Sequence, residues 1–311
     1  ENLNIVPEVF ESERKVVHAE RRSSVDNNNF WKLREQVQAT AYLAHPYQFS
    51  VIGWPSDIES WTQDDLVNYY QTYYAPNNRT VIVSGDVTPD EVFALADEYF
   101  ADVPAQEPPP PIRTVEPEQT GVRRIAVEAP AQTPLLQLAF HIGRAADPDS
   151  LVMSLLLNIL AGGDSSRLHQ ALVEKESLVL SVDGYQDEGF DPGLVWFFMT
   201  LPPGGDPATV ERRVMEELER VINDGVSREE LAKARNNLLA DFWRGMSTIN
   251  GKAAALGNFE VFHSNYEKLF RLPDIVERVT TEDLRTVATD VFQRNNLTAG
   301  VLIDPAAGAA K

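Results

Sequence analysis

Glu13 and Glu20, in the stretch ESERKVVHAERR (Glu11–Arg22), are residues whose type and spacing could do chemistry. At about 100° per residue, seven positions come to about 700°, so both acids share one helix face around the apolar pair Val16 and Val17. Such a pair could serve a metal or simply solvate a surface helix, and spacing alone leaves both readings open. His18 lies roughly 200° round from Glu20 and cannot join it at a common ion. The other histidines are His45, His141, His169 and His263, and no two of the five have the i, i+4 spacing that zinc peptidase helices use. A catalytic zinc normally takes three protein ligands, and no local motif in this chain supplies them. If Glu20 is a ligand, its histidine partners are expected upstream of Glu1.

The bulk properties bound what such a site could serve. The 311 residues are 43% apolar, enough for two domains with a core each. A net charge of −20 argues against a nucleic-acid surface and favours basic or cationic partners, basic peptides among them. The absence of cysteine excludes disulfides, thiolate zinc sites and cysteine nucleophiles. The longest apolar run, Ser150–Gly162, is too short to span a bilayer. No signal peptide is visible at Glu1, and any leader would belong to an upstream segment.

The elements that must position the acids follow from pattern. Apolar residues at helical spacing predict helices over Glu11–Val25 and Phe30–Leu43. Thr62 and Thr88 cap two more, the second with Pro89 in its first turn. RTVIVSGDV (Arg79–Val87) reads as a short β-rich run. The proline-rich stretch Val103–Gly121 reads as a semi-rigid linker, dividing the chain into 1–104, the linker at 105–121, and 122–311. Strands are expected at RRIAVEA, PLLQLAFHIG, SLVLSVDGY, LVWFFMTLP and TAGVLI. Helices are expected over about Asp149–Leu160 and Ser165–Lys175, from Pro207, from Ser227, and at TTEDLRTVATDVF. The fold class is α+β, with helices packed on one side of mainly antiparallel sheets.

Residues from Asp57 onward repeat in the stretch from Asp274 onward. Thr62 matches Thr280, Asp65 Asp283, Leu66 Leu284, Asn77 Asn295, Asn78 Asn296 and Thr80 Thr298, each pair 218 residues apart. This points to a duplicated domain. The second copy begins near Val122, so about the first hundred residues of the first copy are expected before residue 1. The same offset sets Glu13 opposite Leu231 and Glu20 opposite Leu238. Leucine is what a purely structural helix would carry, which favours a functional role for the acids.

ERKVVHAE resembles the downstream glutamate motif of the insulinase/pitrilysin-type zinc metallopeptidases, the class with an inverted H-x-x-E-H motif. AHPYQFSVIGWPSDIESWT, YYAPNNRTVIVSGDV, AGGDSSRLHQALVEKESL and the segment from EELAKARNNLLADF to TTEDLRTVATDVF extend the resemblance over essentially the whole chain. It is to the short, two-domain subunit type similar to mitochondrial processing peptidase. In the family, two histidines and the later glutamate bind zinc, and the glutamate within H-x-x-E-H activates water. Matched position by position, Glu20 looks like the zinc-binding glutamate and Glu13 like the carboxylate that orients a ligating histidine. The general base would lie upstream, so this chain holds no catalytic residue and is expected to be inactive, with zinc weakly held or absent. Many members carry an Arg–Tyr pair that holds substrate and stabilises the oxyanion; here Val173 and Leu180 stand in those places and cannot donate hydrogen bonds. The resemblance therefore implies peptide substrates, a chamber closed by two half-shells, and a homo- or heterodimer with an Arg–Tyr-bearing subunit. A bacterial envelope or periplasmic location is its family-level implication. The alternative is a non-catalytic member of the same fold that acts as a structural or regulatory partner subunit.

Three smaller features complete the reading. AGGDSSRL lacks a Walker lysine and Rossmann glycine spacing, so it reads as a helix–helix turn with Ser165 as N-cap. LVWFFMTLP reads as a buried strand whose edge could pair with a peptide. Tyr69, Tyr70, Tyr73 and Tyr74 have helical spacing and read as packing residues.

Overall fold

Helices start where a side-chain oxygen can meet the unpaired backbone N–H groups of a first turn. The computed structural model describes residues 5–308. Its first part comprises α1 (Pro7–Arg21), α2 (Asn29–Ala41), α3 (Pro55–Ser60), α4 (Gln63–Tyr73) and α5 (Pro89–Phe100). Asn28 caps α2, and Thr62 and Thr88 form reciprocal capping boxes with Asp65 and Glu91. A five-residue π-helical stretch, Arg22–Asp26, continues α1.

The rest is built on one sheet. Strands β1 (Arg123–Glu128), β2 (Leu135–His141), β3 (Ser181–Gln186), β4 (Leu194–Thr200) and β5 (Leu297–Ile303) lie in the order β1-β5-β2-β4-β3. All pairings are antiparallel except β1 with β5. The helices are α6 (Pro148–Ala161), α7 (Pro207–Asp224), α8 (Arg228–Gly245), α9 (Ile249–His263), α10 (Leu272–Arg278) and α11 (Thr281–Val291). Leu136, Leu138 and Phe140 of β2, with Val195, Phe197 and Met199 of β4, point into a core shared with α6, α7, α8 and α11. The alternate residues Ala139, Leu194 and Trp196 point the other way, onto Leu33, Val37 and Ala41 of α2. Both faces of the central strands are therefore covered, which explains their nearly unbroken apolar sequence. The sheet's own helices keep to one side, and α2 comes from the first part of the chain to cover the other.

The duplication is visible element by element. Adding 218 to α4 and to the 3₁₀ turn Pro76–Asn78 gives α11 and the turn Arg294–Asn296 residue for residue; α3 falls within one residue of α10, and α1 and α2 overlap α8 and α9 with ends displaced by a few residues. What differs is what lies beneath. Helix α11 buries Leu284, Val287 and Ala288, whereas α4 buries none of its residues. Tyr69, Tyr73 and Tyr74 are exposed and pack on one another at the surface, with Tyr69 and Tyr73 ring centroids 4.5 Å apart.

Three expectations are corrected. The run Arg79–Val87 forms no strand, and Val81, Val83 and Val87 are exposed. Its counterpart β5 is a strand because β1 and β2 flank it, and no described strand flanks the first copy. Strand β4 has no free edge, because β2 and β3 pair with it on both sides. Ser165 is not an N-cap: the helical turn begins at Arg167, and the Ser165 hydroxyl instead meets the Lys233 ammonium.

Residues 101–121 contain no helix or strand, yet they are fastened. The Glu116 carboxylate accepts from three successive backbone N–H groups, those of Leu43 (2.8 Å), Ala44 (2.9 Å) and His45 (3.0 Å). Buried Gln119 donates to the Leu297 carbonyl at 2.8 Å. Burial pushes the Glu116 carboxyl up, but the N–H groups of His45, Leu43 and Ala44, with His141 nearby, outweigh it and hold it below the ordinary glutamate value. A depressed carboxyl contributes stability above the ordinary glutamate range and loses it as pH falls through the folded value. Glu116→Gln is therefore expected to lower stability by about 1–3 kcal/mol at neutral pH, with the gap to the parent closing as pH falls below the ordinary range. Urea unfolding across pH measures it, and a gap that persists into acid would contradict the carboxylate's role. Where α2 crosses β5, Gly300 leaves no room: an added Cβ would stand 2.1 Å from Val37 Cγ2. Gly300→Ala should cost about 1–3 kcal/mol, seen as a lower thermal midpoint; an unchanged midpoint would show that α2 can lift freely.

Candidate functional site

Helix α1 turns inward along Phe10, Arg14, Val17 and Arg21, spaced i, i+4, i+7 and i+11. Two members of that stripe are arginines, and each is consumed by structure. Arg14 donates to the carbonyls of Ile58 (3.2 Å) and Trp61 (2.6 Å) at the end of α3. Arg21 forms a fork to Glu35 of α2, with both N–H···O distances 2.8 Å and both side chains only 5% exposed. The fork is supported from outside: Arg21 also donates to the Gly53 carbonyl at 2.5 Å, and Ser50 Oγ donates to Glu35 at 2.7 Å. Gly53 sits at φ +76°, a conformation that glycine adopts without strain. The hydrogen bond to Glu35 raises the Arg21 pKa, against the opposing effect of burial.

This clamp sets the rotation of α1, and the rotation places the two acids. Glu13 and Glu20 lie about 80–120° away from Arg14 and Arg21 around the helix, on the exposed side. Among the described residues, neither carboxylate makes a hydrogen bond or an ion pair. After Arg21 the backbone changes to the π-helical turn, and the Ser23 and Ser24 hydroxyls donate to the Glu20 carbonyl at 3.0 and 2.7 Å. The second copy has no such change, and α8 continues as ordinary helix to Gly245. The counterparts Leu231 and Leu238 pack into the core, Leu231 at 5% exposure.

The structure does not gather the histidines. His45 Nδ1 accepts from the Tyr47 N–H, and its Nε2 lies 3.4 Å from Asp191. His141 Nε2 sits 2.9 Å from the Ala41 carbonyl, and burial holds its pKa below the ordinary value. His169 stands 3.4 Å from Glu174. Among the described residues no group of three His, Asp or Glu could hold a metal, so these residues by themselves do not fit a zinc ion. Val173 packs against the core beside the sheet, while Leu180, just ahead of β3, is 57% exposed. Neither carries a hydrogen-bond donor on its side chain.

Sequence reasoning missed Arg21, Glu35 and a second, largely covered cation, Arg34, whose side chain is 11% exposed. The Arg34 guanidinium carbon lies 3.2 Å over the Trp196 ring, and its Nη2 donates to Asp187 at 3.0 Å while Trp196 Nε1 donates to the other Asp187 oxygen at 2.9 Å. Burial draws Arg34 below its ordinary pKa, with Asp187 opposing. The signal for Arg21 is an arginine on the same helix stripe as Phe10 and Val17, where a long side chain can lie along apolar surface.

The profile of the family described as peptidase M16 inactive domain matches residues 60–238, more than half of the chain. The chain belongs to this family. That meets the insulinase/pitrilysin-type resemblance read from the sequence. The zinc protease PqqE of Helicobacter pylori is 28% identical over 305 residues, 94% of this chain and 68% of its own. The uncharacterized zinc protease YmfH of Bacillus subtilis is 25% identical over 285 residues, 88% of this chain and 64% of its own. The crystal structure of a protease from Helicobacter pylori superposes with a TM-score of 0.92 at 26% identity, over 97% of this chain and 73% of that one. An M16 inactive domain from Pseudomonas fluorescens reaches a TM-score of 0.85 at 18% identity, covering 97% of this chain and 71% of that one, and shares the fold. The M16 chain described here thus spans about two thirds of the length of these curated relatives.

Arg21→Met should cost about 3–5 kcal/mol, because Glu35 would stay buried without its partner, and Arg21→Met/Glu35→Met should recover most of the loss. Denaturant unfolding of the two variants checks this. A loss below about 1 kcal/mol in the single variant would show that the pair does not hold α1.

Proposed function

We propose that this chain is the greater part of a zinc-dependent metalloendopeptidase or oligopeptidase subunit. In this reading Glu20 supplies one carboxylate to the zinc and Glu13 orients a histidine ligand. The remaining ligands and the general base come from residues outside the present sequence. Residues 1–104 belong to the metal-bearing domain, 105–121 connect, and 122–311 form the non-zinc domain of the same subunit. Peptide substrates would be enclosed between this subunit and a partner that carries the Arg–Tyr pair, in a homo- or heterodimer.

The observation that carries the reading is the asymmetry of the repeat. At two equivalent pairs of positions, one copy presents free carboxylates to solvent from a helix clamped by buried arginine, and the other carries leucine, buried at Leu231 and half-buried against the core at Leu238. A surface helix could carry acids anywhere, but here they hold one face, and the backbone is locally rewound just beyond Glu20. The relatives' names as zinc proteases, and the third of their length that this chain does not cover, are consistent with ligands elsewhere. A non-catalytic partner subunit is the second reading. It is favoured by Val173 and Leu180, which leave nothing at those positions to stabilise an oxyanion.

Glu20→Gln in the polypeptide as encoded decides between them. Zinc per chain and cleavage of a fluorogenic peptide, assayed with the partner present, should both fall steeply, and Glu13→Gln should weaken zinc about 10–100-fold. Unchanged zinc content in Glu20→Gln would sink the ligand assignment. Far less than one zinc per chain in the unaltered protein would instead support the non-catalytic partner.

A further inference from the structure

The second copy has not simply lost its acids. Leu238, the counterpart of Glu20, lies on the wall of a cavity of about 530 Å³ between the start of α6, α8, α9 and α10. That volume suits a small molecule. Phe242 and Phe259 line it with Leu238, and the Phe259 ring stacks on His263 with centroids 4.6 Å apart. Asp147 lines it too, but is engaged by Arg144 at 2.8 Å. The charges left are Glu188 and Lys268, one of each sign. Each is tethered with capacity to spare. Asn258 donates to one Glu188 oxygen at 3.1 Å, which leaves the other open. The Lys268 ammonium donates one N–H to the His263 carbonyl at 2.9 Å, which leaves two. Both charges act on the same imidazole: burial lowers the His263 pKa, Lys268 lowers it further, and Glu188 opposes them.

We propose that this cavity binds a free α-amino acid with an apolar or aromatic side chain. The side chain fills the space between Leu238, Phe242 and Phe259, the ammonium pairs with Glu188, and the carboxylate pairs with Lys268. An apolar acid would leave Glu188 facing a like charge, in a protein of net charge −20. An apolar amine would leave Lys268 without a partner. A residue inside a peptide has neither charged group. A zwitterion satisfies both and is indifferent to the overall field. The site needs no metal and no residue outside this sequence, so it stands or falls independently of the zinc reading. Its ligand class is also what exhaustive peptide hydrolysis releases.

The test is calorimetric titration with L-phenylalanine and three probes that each lack one feature: phenethylamine, 3-phenylpropanoate and glycine. L-Phenylalanine should saturate one site per chain, with each incomplete probe about tenfold weaker or worse. Glu188→Gln and Lys268→Gln, both surface changes, should each weaken L-phenylalanine about tenfold with circular dichroism unchanged. Leu238→Trp, which fills the cavity, should abolish binding. No saturable binding of L-phenylalanine in the millimolar range would overturn the proposal. Equal binding of all the aromatic probes, or indifference to both rim substitutions, would overturn it as well.

Discussion

A guanidinium and a carboxylate, each almost fully removed from water, hold this molecule's candidate site in place. Arg21 and Glu35 meet through two 2.8 Å hydrogen bonds between α1 and α2. Taking two charges out of water is costly, and the arrangement is tolerable because the fork is bidentate, Gly53 and Ser50 add a hydrogen bond to each partner, and Asp26 stands 3.4 Å from Arg21 Nε, which makes no hydrogen bond. A helix has one rotational freedom about its axis, and an apolar stripe constrains it loosely. A buried, directional pair constrains it tightly. Once Arg21 points at Glu35, Glu13 and Glu20 can point only to solvent.

That clamp is useful because α2 is itself anchored. Its Leu33, Val37 and Ala41 lie on the sheet face opposite the one that α6, α7, α8 and α11 cover. Arg34 adds a cation–π and ion-pair contact to Trp196 and Asp187, and Gly300 lets the helix approach β5 closely. The orientation of α1 is thus referred, through α2, to the sheet built from residues 123–303. Glu116 ties the connecting stretch to the end of the same helix.

The two copies share their local chemistry, and among the described residues they differ in what lies beside it. The capping boxes Thr62–Asp65 and Thr280–Asp283 are identical in form, and both helices run eleven residues. Yet α11 buries an apolar stripe and α4 buries nothing. Likewise Leu297–Ile303 is a strand and Arg79–Val87 is not, although both are rich in β-branched residues. Local chemistry set the helix ends in both copies. Packing partners decided whether the apolar residues became core or surface, since strand hydrogen bonds must be completed by another strand.

Much of this was legible without coordinates. Capping threonines and periodicity located α1, α2, α4, α5 and α11, and the apolar runs located all five strands, because these signals depend on near neighbours in the chain. The constant offset of 218 residues disclosed the duplication and singled out Glu13 and Glu20 against Leu231 and Leu238. Only tertiary structure decided which arginines were buried, which strand lay at an edge, and which face of the sheet α2 would cover. Those outcomes rest on desolvation and on contacts between residues far apart in sequence. The same arginine code letter serves a solvated tip at Arg212 and the buried fork at Arg21, and only the surrounding fold tells them apart.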